Sequence, residues 1–141
     1  MSTEQNKKIV EQFFSECIGK RNYALLSQFV SPDYVNHNFP GAPKGYEGLQ
    51  QVIENFFNGF PDMKITIEEI IGEGDSVATR GYWTGTNKGE FMGMPATGKQ
   101  VKVGYIDFWK LRDGKGIENW VQMDIAGLMQ QLQTMPESVT E

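Results

Sequence analysis

Up to Pro61 the apolar residues of this chain recur at helical spacing. After it they recur at every second position, and that change of period fixes the order of elements. Ile9, Val10, Phe13, Phe14, Cys17 and Ile18 form a broad stripe that ends at Gly19. Ser2 or Thr3 can cap its start, with Gln5 placed after Ser2 as a capping-box partner. Leu25, Leu26, Phe29 and Val30 predict a second, short helix, stopped by Ser31-Pro32-Asp33. Tyr34 to Pro43, rich in proline and polar side chains, reads as a loop. A third helix is expected from about Tyr46 to Phe57, closed by Asn58-Gly59.

Beyond Pro61, Met63, Ile65 and Ile67 alternate with polar neighbours, and Glu68-Glu69-Ile70-Ile71 breaks the alternation as a bulge would. Gly72 to Asp75 is a turn, Ser76 to Thr86 the next strand, and residues 85–99 a glycine-rich stretch. Val101 to Leu111 is a long strand, joined through Arg112-Asp113-Gly114-Lys115-Gly116 to another that begins at Ile117. From Ile125 the spacing of Leu128, Met129 and Leu132 turns helical again. Helices first, then four or more antiparallel strands, then a helix: the expected class is α+β, a single domain over residues 1–141. Val101 to Leu111 carries apolar bulk on both faces, with Tyr105, Trp109 and Leu111 on one and Ile106 and Phe108 on the other. A sheet apolar on both sides is covered twice. The helices can cover one side, so a second copy of the chain is expected on the other, in a homodimer.

Charge narrows the functional classes. A net charge of −5 with no basic cluster argues against nucleic acid or an anionic membrane as partner. No run reaches the length of a membrane span, and the start has no signal-peptide stretch. The one cysteine, Cys17, lies on an apolar helix face and reads as buried filler. A cytoplasmic location is expected. With one histidine and one cysteine, a zinc site of the usual ligands cannot be assembled, so no metal is expected. Gly93 to Lys99 imitates a phosphate-binding loop. However, Gln100 replaces the serine or threonine that should hold magnesium, and the segment runs into a strand.

Two carboxylates stand out. Asp107 lies between Tyr105 and Trp109 on one face of a strand that otherwise reads as buried, where a charge is costly unless paired, hydrated or neutralised. It is either an ion-pair partner of Arg80 on the neighbouring strand or a pocket group. Asp124 sits where the last strand hands over to the last helix. It can cap that helix or point into whatever the sheet encloses. A hairpin register with Trp109 opposite Trp120 would set Asp107 against Gln122 and Tyr105 against Asp124, whereas a slip of one residue would separate them. His37, the only histidine, lies between Asn36 and Asn38 and is open to acid–base work or to a plain loop role. Trp83, Phe91, Met92 and Met94 either line a pocket or fill core.

The ordered set Ser31-Pro32-Asp33-Tyr34, Gly85-Thr86-Asn87, Gly89 to Lys99, Asp113-Gly114-Lys115 and Glu118-x-Trp120-x-x-x-Asp124 with Gly127-Leu128-x-x-Gln131-Leu132 resembles the SnoaL-like polyketide cyclases of the NTF2-like superfamily. The resemblance implies a cone: a strongly bent antiparallel sheet wrapped by about three N-terminal helices around a deep pocket, with a short C-terminal helix. It also implies intramolecular aldol closure without a cofactor, with an aspartate on the last strand as acid–base. That position falls on Asp124. The family's partner histidine falls on Asp107, and Asn87 stands where many relatives carry histidine. On this reading Asp124 is the base and protonated Asp107 or Tyr105 the donor to an enolate. His37, Asn36, Arg80, Trp83, Met94, Tyr105, Trp120 and Gln122 surround a small hydrophobic carbonyl substrate. The rivals are a non-catalytic binder of an apolar ligand, a dimerisation module with a vestigial pocket, and an epoxide hydrolase in which Arg80 pairs with an aspartate to orient water.

Overall fold

The computed structural model describes residues 2–39 and 41–133. Helix α1 (Thr3–Gln12) opens with the expected capping box: Ser2 Oγ accepts from Gln5 N, and Gln5 Oε1 accepts from Ser2 N. It continues into a π-helical segment, Phe13–Gly19. A 3-10 turn (Tyr23–Leu25) and the one-turn helix α2 (Leu26–Phe29) lead into strand β1 (Val30–Asn36). Helix α3 (Gly45–Gly59) follows, then β2 (Lys64–Glu73), β3 (Ser76–Thr86), β4 (Gln100–Arg112), β5 (Lys115–Met123) and α4 (Ile125–Leu132).

The five strands form one sheet in the order β1-β5-β4-β3-β2. Four of them are antiparallel, as the alternation predicts, but β1 lies parallel to β5, so the sheet is mixed. Residues 30–36, read above as a helix end and the start of a loop, are that strand. Pro32 fits there because β1 is the edge strand, where a missing N–H breaks no ladder.

Strand β4 alternates exposed and buried at every residue, and its buried face meets the helices. Val10, Phe13, Cys17, Leu49, Ile53, Phe57, Val77, Trp109 and Leu111 form one core cluster; Phe56, Phe60, Trp83, Phe91, Val103 and Leu128 form a second. Cys17 is fully buried, and burial pushes its thiol up to about 11, consistent with filler. A bulge between Ile67 and Glu69 in β2 interrupts the sheet where the broken alternation predicts it. Gly81 faces that bulge, and a Cβ there would lie 1.9 Å from the Thr66 carbonyl oxygen. A glycine at this point lets the strands approach while the sheet bends.

Candidate active site

The register of the β4–β5 hairpin decides what faces the helices. Asp113 and Gly114, both at positive φ, form a two-residue turn that pairs Arg112 with Lys115 and Leu111 with Gly116. Lys110 then pairs with Glu118, so Ile117 is an extra residue. One bulged residue inverts the faces of everything after it. Trp109 lies opposite Asn119, Asp107 opposite Val121 and Tyr105 opposite Met123. The expected pairings of Trp109 with Trp120, Asp107 with Gln122 and Tyr105 with Asp124 are therefore corrected. Asn119, Val121 and Met123 turn inward, while Trp120 and Gln122 turn outward beside Phe108 and Ile106.

Between the sheet and the helices lies a partly open, mostly apolar chamber of about 90 Å³. Phe13, Phe14 and Ile18 of the π-helical segment, with Leu49, Ile53 and Phe56 of α3, form its helical wall. Asp107, Tyr105, Trp83, Asn36, Tyr34 and Asn119 supply its polar atoms. It is smaller than the roughly 150 Å³ void that holds benzene in a well-studied cavity. An outer groove of about 720 Å³ shares Phe39, Val52, Phe56, Val121 and Met123 with the chamber. The chamber alone is too small for a bicyclic ligand, which would need the shared side chains to move.

Asp107 is 3 % exposed. Its Oδ1 accepts from Thr79 Oγ1 at 2.7 Å and from Thr79 N at 3.3 Å, and its Oδ2 accepts from Trp109 Nε1 at 2.9 Å. Thr79 Oγ1 is also 3.0 Å from the Tyr105 hydroxyl. Because threonine gives its one proton to the carboxylate, Tyr105 donates to threonine, and the three groups form a directed chain. Desolvation pushes the Asp107 carboxyl up to about 6, against the opposing bonds from Thr79, Trp109 and Asn119. Asn36 Nδ2 donates to Asn119 Oδ1 at 3.3 Å, and Asn119 Nδ2 donates to the Phe108 carbonyl at 3.1 Å.

Two residues of the chamber lining each carry a fully buried donor with no hydrogen-bond partner: Tyr34 its hydroxyl and Trp83 its Nε1. Burial drives the Tyr34 phenol well above its ordinary range; the neighbouring Asn36 opposes the rise and the Asp107 charge adds to it. Tyr105 is raised to about 12, also chiefly by burial. A buried orphan donor costs about 1–3 kcal/mol, so two on one small chamber are expensive unless a ligand or water uses them.

The remaining sequence candidates lie elsewhere. Asp124 is exposed and caps α4, its Oδ1 accepting from Gly127 N at 2.9 Å; it does not line the chamber. A carboxylate that completes a helix N-terminus has its best partner already, which is why the local geometry holds it there. Arg80 is on the outer face, bound to Glu69 at 2.8 Å and Glu68 at 3.4 Å, so it neither pairs with Asp107 nor supplies the arginine of an epoxide hydrolase. His37 stacks on Trp120 with centroids 4.6 Å apart and meets Glu118 at 3.3 Å, outside the chamber. Met94 lines a separate shallow pocket beside Met129 and Leu132. The inward set is thus Asp107, Tyr105, Trp83 and Asn36. Sequence reasoning missed Tyr34, Thr79 and Asn119. The signal for Tyr34 was its period-two spacing with Asn36; Asn119 had none, because the bulge at Ile117 that turns it inward leaves no mark in the sequence.

Among the described residues no cluster of three or more His, Cys, Asp or Glu could hold a metal ion, and no helix is long and apolar enough to cross a membrane. The sequence profile of the SnoaL-like polyketide cyclases matches residues 8–132. The chain belongs to that family. Its structure resembles TsrD of Streptomyces laurentii, with a TM-score of 0.85 at 27% identity over 94% of this chain and 97% of TsrD. IdmH of Streptomyces antibioticus, a candidate polyketide cyclase, aligns with a TM-score of 0.78 at 31% identity over 91% and 98% of the two chains. A candidate SnoaL-like cyclase of Jannaschia sp. CCS1 gives 0.82 at 26% identity, covering 92% of each. No curated protein matches. These likenesses fit the α+β class implied by the sequence and place this SnoaL-like protein among cyclase-like folds.

A raised carboxyl also leaves a thermodynamic trace. The pKa of Asp107 in the fold, about 6, exceeds its ordinary value of 3.8, so folding favours the protonated form. That contribution is complete below the ordinary value and is lost as pH rises through 6. The shift corresponds to about 3 kcal/mol. Urea unfolding of the wild type and of Asp107→Asn, whose side chain does not titrate, measures it. Between pH 4 and pH 7.5 the wild type is expected to lose about 2.5 kcal/mol relative to the variant, part of the contribution being already gone at pH 4. A difference that does not change with pH contradicts the raised carboxyl.

Proposed function

We propose that this protein carries out cofactor-free proton transfer on a small hydrophobic carbonyl compound, in the manner of a cyclase or isomerase, with Asp107 as the acid–base group. The observation that carries the reading is a buried carboxyl with a pKa near 6 on the wall of a largely apolar chamber that Tyr34, whose buried hydroxyl has no partner, also lines. A base whose pKa lies near the working pH is available as carboxylate yet holds a proton well once it has taken one.

The steps follow from the atoms. The Asp107 carboxylate accepts a proton from the carbon next to the ligand carbonyl, and the electron pair of that C–H bond becomes the enolate. The Tyr34 hydroxyl donates a hydrogen bond to the oxygen where charge develops. The enolate carbon then attacks a second carbonyl of the same molecule, or is reprotonated at another position. In the first case Asp107 returns its proton to the new alkoxide, and in the second to carbon. The chain Tyr105–Thr79 and the Trp109 N–H keep the carboxylate oriented throughout. This moves the base from Asp124, expected from the family motif, to Asp107, and the donor from Asp107 or Tyr105 to Tyr34. The test is deuterium uptake at the α-carbon of α-tetralone in heavy water, compared between wild type and Asp107→Asn.

A non-catalytic binder of a hydrophobic small molecule is the second reading. It is favoured by the three hydrogen bonds that already engage Asp107. Saturable tetralone binding with no deuterium uptake selects it.

The outer face of the sheet supports the expected homodimer. Ile106 is 61% and Phe108 41% exposed, with Trp120 beside them. Apolar bulk gathered on one sheet face is what a second copy of the chain would cover. Light scattering after size exclusion is expected to give twice the chain mass at micromolar concentration, and Ile106→Glu with Phe108→Glu is expected to give one. A monomeric wild type contradicts the dimer.

A further inference from the structure

The proton-transfer reading uses one of the two orphan donors on the chamber wall; Trp83 Nε1 is the other. Trp83 is 1 % exposed, and its indole is clamped edge-on by Phe60 (centroids 4.9 Å, 68°) and Phe56 (5.8 Å, 82°). These two contacts pack the ring in place, and its N–H has no acceptor among the described residues. The two donors also serve different parts of the chamber. Tyr34 packs on Trp109 (5.9 Å), at the Asp107 end. Trp83 lies on the same strand and face as Thr79, four residues farther along β3, or roughly 13 Å of extended chain. The cluster around Trp83 is apolar, aromatic and aliphatic side chains together, and none of its side chains offers an oxygen or nitrogen acceptor to the indole.

Resting on the reading of Asp107 as acid–base group, we propose that Trp83 is a specificity-determining residue: the ligand carries two acceptor oxygens at opposite ends. The reacting carbonyl sits at Asp107 and Tyr34. A second oxygen, a ketone, ether or ester, sits at the far end and accepts from Trp83 Nε1. A buried donor that must be satisfied discriminates strongly against an analogue lacking the acceptor, because binding the analogue seals the donor away from water. The substrate class is therefore a compact apolar compound oxygenated at both ends, rather than a simple ketone of the same shape.

Two α-tetralones test this, one with a methoxy group para to the carbonyl and one with an ethyl group in its place. They are nearly the same size and differ in one acceptor atom. The wild type is expected to bind the methoxy compound about tenfold more tightly by titration calorimetry, and Trp83→Phe to bring the ratio near one. Tyr34→Phe, which leaves Trp83 in place, is expected to weaken both ligands together and keep the ratio. Independently of any substitution, the Trp83 indole signal in a nitrogen–proton spectrum is expected to move downfield with the methoxy compound and not with the ethyl one. Equal affinities in the wild type, or a ratio unchanged in Trp83→Phe with a still indole signal, overturn the proposal; so does failure of both tetralones to bind at millimolar concentration. Binding with the expected ratio but without deuterium uptake leaves the Trp83 assignment standing and removes the catalytic one.

Discussion

Asp107→Asn is expected to slow α-proton exchange of a bound tetralone by about 10²–10⁴-fold, the range that a positioned general base contributes. Asparagine keeps the size of the side chain and still lines the chamber, but its amide has no basicity to accept a carbon-bound proton. Thr79 Oγ1 and Trp109 Nε1 both donate to the carboxylate, and the asparagine carbonyl can satisfy only one of these sites while its NH2 faces the other. Some loss of stability is therefore expected at low pH, and the exchange assay must be read on folded protein, checked by near-ultraviolet dichroism. Affinity for the tetralone is expected to change by less than tenfold, since the ligand's apolar burial is untouched. A fall in rate without a matching fall in affinity separates chemistry from binding. Asp124→Asn, a change at an exposed cap, is expected to leave the rate within twofold or so, as a cap substitution alters local stability rather than the chamber.

The largest expected effect on stability is at Asn87. This residue is 1 % exposed and holds residues 87–99 together. Its Nδ2 donates to the carbonyls of Gly59 (3.3 Å) and Gly89 (2.9 Å), and its Oδ1 accepts from Thr97 N (2.9 Å) and Thr97 Oγ1 (3.0 Å). Its backbone adds two bonds, to the Lys99 carbonyl and from Gly98 N. Asn87→Ala takes the partner from the Gly89 carbonyl, the Thr97 N–H and the Thr97 hydroxyl, in a region where α3, β3 and the glycine-rich segment meet, while the Gly59 carbonyl still accepts from Lys88 N and Gly89 N. At about 1–3 kcal/mol for each group that stays dry, and with water reaching some of them, a loss of about 4 kcal/mol is expected in urea unfolding. Asn87→Asp keeps the acceptor that binds Thr97 and is expected to lose less at acid pH, where the carboxyl can donate. A loss below about 1 kcal/mol for Asn87→Ala would show that the network is replaced by solvent. Here the side chain is a structural tie that joins the end of α3 to residues 89 and 97.

The period change at Pro61 and the capping box at Ser2 made the layer order readable, because both depend on local spacing alone. The single-residue bulge at Ile117 did not show, since β5 reads as a regular strand on either face until its partner is known. That one residue moved Trp120 and Gln122 out and Asn119 and Val121 in. Asp107 was found because a carboxylate in an alternating strand whose other inward residues are Val101, Val103, Tyr105, Trp109 and Leu111 stands out against the cost of its own burial. Tyr34 was hidden by Pro32, which reads as a breaker unless the strand is known to lie at a sheet edge. Asp124 shows the limit of a motif: the carboxylate is where the family pattern puts it, and the backbone geometry of this chain gives it to a helix end.

The most direct test of the claim that Asp107 is the proton-transfer group is the pH profile of α-proton exchange under conditions where tetralone is below saturation, which reports the free protein. The rate is expected to rise with slope one on a logarithmic scale, bend at a pH near 6, the value to which burial pushes Asp107, and level off above it. A profile that bends at the ordinary carboxylate value, or one that is flat from pH 4 to pH 8 with the same rate in Asp107→Asn, contradicts the account.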